Sequence, residues 1–252
     1  MNMSLFTMAH VESWTWEFLF QNFIPGTCLA LGLLCLSGST RFVLRLFIAL
    51  LLSVIANHSC GTGFLVWVLL LPMLWLATKG RQRWGILAAW CVVNGYSMHI
   101  ALHGLTGSHA LSNSTEGKFS LLLSQPWLTW RYVTLLLGYP LANGTAVDSM
   151  VLGPLFGTLF LLAAIAALWA IITSPVSRAK VREWLPLLLL GSYSLLAAGL
   201  ICVGRMRQSL LSACAYRYVA FTLFFIPVVL LLLLYAYDNA LTEERRSQWR
   251  TK

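Results

Sequence analysis

The chain has 252 residues, of which 59% are hydrophobic and only 10% charged, and its mean hydropathy is +0.77. A soluble domain carries about 25% charged residues, so this composition excludes a water-exposed globule, an intrinsically disordered chain and a small secreted disulfide scaffold. The net charge of +9 would attract nucleic acid in a soluble protein; here the cations sit in short segments between apolar runs, where they set topology, and no nucleic-acid partner is expected.

Residues 1–22 read as an outer juxtamembrane segment whose Trp14, Trp16, Phe18 and Phe20 suit a membrane interface. The first ten residues hold no Lys or Arg and no apolar core, so no cleavable signal peptide is expected. A helix needs about 20 apolar residues to cross hydrocarbon, and fewer where its ends snorkel. Runs of that kind occur at about Phe23–Leu36, Phe42–Ala56, Gly61–Thr78, Trp84–Leu102, Met150–Thr173, Leu185–Val203 and Tyr218–Tyr237. Each spanning backbone must satisfy its own hydrogen bonds, and no barrel-like alternation is present, so the runs are expected to be helices.

Residues 103–149 form the longest connection, with an apolar stretch at Phe119–Leu141 interrupted by Gln125, Pro126 and Arg131. Ser120, Ser124, Arg131 and Thr134 fall on one narrow stripe at helical spacing, which predicts an interfacial helix over about 119–138. Charge arbitrates. With seven spans, Arg41, Arg45, Lys79, Arg81, Arg83, Arg178, Lys180, Arg182, Arg245, Arg246, Arg250 and Lys252 share one side, which makes 12 of the 17 cations; Lys118, Arg131, Arg205, Arg207 and Arg217 are the other 5. An eighth span at 119–141 would divide them 8 against 8 and leave Arg131 in the membrane. The positive-inside rule favours seven.

The expected fold is therefore an all-α integral membrane protein, a single domain over 1–252 with about seven transmembrane helices plus one interfacial amphipathic helix on the outer side. Its N-terminus is expected outside, and residues 238–252 are expected as a cytoplasmic tail.

The loop GRMRQSLLSACAYRY places Arg205, Arg207 and Arg217 on the side where arginines should be scarce. Guanidinium there can hold phosphate through paired donors, with Gln208, Tyr216 and Tyr218 as neighbours; the alternative is contact with anionic lipid headgroups or with Glu12 and Glu17. Those two glutamates are the weak candidates for a carboxylate base, although at five residues apart they share no helix face, and marking the water edge explains them as well. Asp148 suits a helix cap. His58, His99, His103 and His109 lie toward the outer side; His99 and His103, four apart, have no third placed ligand, so they are expected to line an outer vestibule with His58, and no metal or cofactor is expected. Asn94, Ser97 and His99 are the nearest approach to a polar path inside a span.

Cys60 and Cys214 both fall in outer loops, so a disulfide between them is a candidate where the compartment oxidises. Asn57-His58-Ser59, Asn113-Ser114-Thr115 and Asn143-Gly144-Thr145 match the glycosylation sequon. Gly153 and Gly157 form a GxxxG suited to close helix packing.

Gly204-Arg205 followed by Arg217-Tyr218, Gly63-Phe64-Leu65-Val66-Trp67, and Leu137-Gly138-Tyr139-Pro140-Leu141 together resemble the C-terminal half of a group of uncharacterised bacterial polytopic inner-membrane proteins. Those are similar in layout to membrane glycosyltransferases that use polyprenyl-phosphate-linked sugars. This sequence has Ser212, Tyr216 and Thr62 where that pattern has glutamine, serine and asparagine, and the carboxylate of the transferases' first outer loop has no counterpart in it. The resemblance implies a bacterial inner-membrane location and a site for a polyprenyl-phosphate-linked sugar in envelope polysaccharide synthesis. The other reading is a non-enzymatic membrane component, such as a flippase or transport subunit or an assembly factor.

Overall fold

A computed structural model describes residues 21–106, 123–142, 146–174, 180–205, 210, 213 and 218–250. Among them every regular element is a helix, and there is no strand. In chain order these are α1 (Ile24–Ser37), α2 (Phe42–Ser59), α3 (Phe64–Ala77), α4 (Gln82–Thr106), α5 (Pro126–Gly138) with a 3-10 turn at Tyr139–Leu141, α6 (Ala146–Thr173), α7 (Val181–Arg205), α8 (Val219–Thr222) and α9 (Phe225–Arg250). Prolines at the first turns of α1 and α5 start those helices where no N–H is needed.

Four stretches are long and apolar enough to cross a membrane: Phe42–Ser59, Asp148–Thr173, Val181–Arg205 and Val219–Leu241. The last joins α8 to α9. α1 and α3 are apolar but only 14 residues each, about 21 Å against a hydrocarbon core of about 30 Å. α4 has 25 residues but is interrupted by Asn94, Ser97 and His99. The chain is thus a helical membrane protein. Its lipid-facing surface is plain on α6, where Leu155, Leu159, Leu162, Ile165 and Trp169 recur every three or four residues and are all exposed.

α7 is the hub, packing against α1, α3, α5, α8 and α9. Its Tyr193 and Ala197 are completely buried, in one core with Leu29 of α1, Val66 and Leu70 of α3 and Leu135 of α5. α1 and α2 form a tight antiparallel pair, as do α5 and α6.

The polar stripe on 119–138 does not behave as expected. α5 is not laid flat on the outer surface: it packs along α6, and Tyr132, Thr134, Leu135 and Leu137 on it are fully buried. Glycine explains the approach, because a Cβ on Gly157 would overlap the backbone of Thr134, and one on Gly138 would overlap the backbone of Gly153. Thr134 is no surface marker either, since its hydroxyl donates to Trp130 O at 2.7 Å and needs no water. Only Trp127 and Trp130 keep the exposed, aromatic character of an interface. The GxxxG at Gly153 and Gly157 does serve helix packing. Ser120 lies outside the described residues.

One end of the molecule is basic, and its arginines terminate helices. Arg45 donates to Leu36 O at 3.1 Å and to Gly38 O, at the end of α1. Arg83 gives two bonds to Thr78 O, at 3.1 and 2.7 Å, while stacking 4.2 Å from the Trp75 ring. Arg182 reaches Leu76 O at 2.6 Å. The last carbonyls of a helix lack partners and carry negative partial charge, so each cation is well placed. Arg41, Lys79, Arg81 and Lys180 add exposed charge at the same end.

Candidate functional site

At the opposite end three segments converge. The α2–α3 connection brings Cys60, Gly61 and Thr62; the end of α7 brings Gly204 and Arg205; and the entry to α8 brings Tyr218 and Phe221. With Gln21 and Asn22, just before α1, they line a cavity of about 510 Å³. That volume falls in the range of small-molecule sites.

The connection is held by short-range chemistry. Gly63 N donates to Cys60 O at 2.9 Å, closing a turn, and Gly63 lies so close to Ala56 O at the end of α2 that a Cβ would not fit. Thr62 Oγ1 lies 3.2 Å from Cys60 Sγ and 3.3 Å from Tyr193 Oη. The hub tyrosine, buried in α7, thereby pins the wall of the cavity to the bundle core. On the other side, Thr222 Oγ1 donates to Leu136 O at 3.1 Å, which ties α8 to α5.

Two of the arginine-site residues expected from sequence, Arg205 and Tyr218, therefore face one cavity. Arg207, Gln208, Tyr216 and Arg217 lie outside the described residues, as do Glu12, Glu17, His109 and Cys214, so the proposed Cys60–Cys214 disulfide also lies outside them. Of the histidines expected to line a vestibule, the side chains of His58 and His99 are described. His58 is on the last turn of α2, where its Nε2 lies 3.3 Å from Ser97 Oγ of α4, and it is not among the cavity's lining. His99 is exposed on α4, and the side chain of His103 is outside the description. Among the described residues no three His, Cys, Asp or Glu side chains group as a metal site.

Asn94 and Ser97 do not open a path. They turn toward α2 and form a seam: Ser53 Oγ donates to Asn94 Oδ1 at 2.7 Å, and Asn57 Nδ2 donates to Ser97 Oγ at 3.4 Å. Asn57 is only 9% exposed and helical, so this sequon is a helix-packing element and is not presented to solvent. The sequon at 113–115 lies outside the described residues.

The chain matches no protein-family model, no curated protein and no solved structure. The cavity itself carries the functional reading. Its described lining includes Arg205 and the amides Gln21 and Asn22, groups that can hold an anionic or hydroxyl-rich ligand, the guanidinium by paired donors, while the Thr62 hydroxyl is engaged by Tyr193 and Tyr218 Oη is buried. Sequence reasoning had no signal for Gln21, Asn22 or Cys60 as lining. Thr62, where the sequence departs from the pattern it resembles, proves to be a wall residue.

Proposed function

We propose that the protein is a seven-span bacterial inner-membrane protein that binds a lipid-linked sugar phosphate at this cavity, on the outer face, in envelope polysaccharide synthesis. The observation that carries the reading is the meeting of Arg205 and Tyr218 with Cys60–Thr62 at one cavity, at the end of the bundle remote from Arg45, Arg83 and Arg182. Read by the positive-inside rule, the basic end is the cytoplasmic one, and on that reading the cavity belongs at the outer headgroup level, where a lipid phosphate resides. Arg207 and Arg217, on the connection between α7 and α8, enter the proposal from their place in the sequence alone. α1, α3 and α4 complete the seven spans, the two short helices through local thinning of the bilayer around them.

A charge-assisted hydrogen bond contributes about 1.5–3 kcal/mol, so Arg205→Ala should weaken binding of a polyprenyl phosphate by roughly 10- to 100-fold. Arg217→Ala should act in the same direction. Arg182→Ala, at the basic end, should leave binding unchanged. Binding to the full chain in nanodiscs measures all three, and equal affinity of the Arg205 and Arg182 variants refutes the assignment.

The reading as a non-enzymatic component draws on one specific feature: the described lining includes no carboxylate. Carrying or presenting the ligand needs only the binding groups, whereas transfer of its sugar needs a base, for which Glu12 and Glu17 are the proposed sources. Turnover of a lipid-linked sugar that survives Glu12→Gln and Glu17→Gln together would exclude them.

A further inference from the structure

A second cavity, of about 460 Å³, opens on the side of the bundle. Its walls come from α1 (Ala30, Leu34), the start of α7 (Pro186, Leu190) and the α8–α9 segment (Phe224, Pro227), and every residue lining it is apolar. Leu34 is 69% exposed and Leu231 47% exposed at its rim, so the cleft faces the lipid.

The stretch leading into and along α1, α7 and the α8–α9 segment each contribute to both cavities, and the α2–α3 connection adds to the polar one alone. The polar cavity ends at Asn22, just before α1, and the apolar cleft begins at Ala30 on α1, about 9 Å beyond the start of the helix at 1.5 Å per residue. Along α7 the interval runs from Leu200 to Leu190, about 15 Å by the same rise. On the third segment they nearly touch: Phe221 lines the polar cavity and Leu223 the cleft. Between them, the Phe224 ring and the Tyr193 ring close over Gly26, where a Cβ would strike Phe224. Tyr193 is the residue whose hydroxyl meets Thr62 on the polar wall.

The helical hydrogen bonding lapses at the same place. At Leu223–Phe224, between α8 and α9, the ladder is interrupted although Leu223 keeps helical dihedrals, and Pro227 and Pro186 beside the cleft carry no backbone N–H. A loosened helix junction, two prolines and an apolar cleft next to a polar cavity all fit a single amphiphile with its head in one and its chain in the other.

We infer that the apolar cleft between α1, α7 and the α8–α9 junction is the seat of the hydrocarbon chain of the lipid phosphate whose head occupies the Arg205 cavity. The inference rests on the head-group reading given above. Bilayer lipid is as apolar as the cleft, so the chain gains close packing and little hydrophobic driving force. The cleft therefore selects among chains by length and shape, while the arginine supplies the larger share of affinity.

The experiment compares a long-chain polyprenyl phosphate with geranyl phosphate, each bound to the full chain in phosphatidylcholine nanodiscs. Ala30→Trp fills the cleft from α1, and Leu34→Trp, at the exposed rim, does so with less demand on folding. Both should lower long-chain affinity about five- to tenfold, the scale of lost packing contacts, and leave geranyl phosphate unchanged. Arg205→Ala should weaken both ligands. Unchanged long-chain affinity in both tryptophan variants, or an equal loss for both ligands, overturns the chain seat and leaves the head site intact. A selective long-chain loss in the tryptophan variants with no effect of Arg205→Ala would instead overturn the head site and uphold the cleft as a chain seat.

Discussion

Asn94 is fully buried in a bundle surrounded by hydrocarbon, and both ends of its amide are engaged. Oδ1 accepts from Ser53 Oγ at 2.7 Å, and Nδ2 donates to Trp90 O at 3.0 Å. Asn57, one turn along the same seam, is less well served: its Nδ2 bond is long at 3.4 Å, and its Oδ1 is buried with no hydrogen-bond partner. Inter-helix hydrogen bonds in membranes contribute about 0.6 kcal/mol on average and up to about 1.7. Asn94→Leu should therefore destabilise the protein by about 1–2 kcal/mol, because it also strands one bond of Ser53. Asn57→Leu should cost less or even stabilise, since it removes an unsatisfied oxygen. Unfolding of the purified protein in mixed micelles gives both values; a greater loss for Asn57→Leu would contradict the bonding pattern.

The pairing of α5 with α6 is where an element depends on single hydrogens. At Gly157 and Gly138 a Cβ would run into backbone, which cannot rotate away, whereas at Gly153 it would meet the flexible end of Leu135. Gly157→Ala and Gly138→Ala should each cost at least the 1–3 kcal/mol typical of overpacking, and Gly153→Ala should cost less. Gly85 and Gly199 have nothing within 4 Å of a Cβ, so alanine there should stabilise the helix by up to about 1 kcal/mol. Thermal melts of the five variants provide the ranking, and uniform losses would show that these helices are not in backbone contact. The same elements show what the sequence made legible. The apolar runs at 23–36 and 42–56 became α1 and α2 with no end shifted by more than three residues, because hydrocarbon length constrains such segments directly. The burial of α5 was hidden because Thr134 satisfies its own hydroxyl within the helix, so a polar residue sat on the packed face. Arg205 and Tyr218 were legible as candidate site residues because, on the seven-span reading, that loop's arginines fall where the topological rule expects few. Cys60, Gly61 and Thr62 were not, since a short uncharged connection gains meaning only when α7 brings Tyr193 beneath it.

At the scale of the molecule, charge and shape divide along one axis. Arg45, Arg83 and Arg182 each neutralise the carbonyl end of a helix, so the cations that the positive-inside rule reads as a topology signal also complete secondary structure. The cavity with Arg205 lies at the other end, and the proposed outer-face function requires that end to be outside the cell. Single-cysteine variants in an otherwise cysteine-free chain decide this. Leu141, on the turn after α5, is 42% exposed at the cavity end, and Lys79 is exposed at the basic end. A membrane-impermeant thiol reagent added to intact cells should label Leu141→Cys at once and should reach Lys79→Cys only after permeabilisation. The reverse pattern would turn the cavity toward the cytoplasm, where the same guanidinium would meet soluble phosphates as readily as lipid ones, and the lipid-linked assignment would fall even if Arg205→Ala still weakened anion binding.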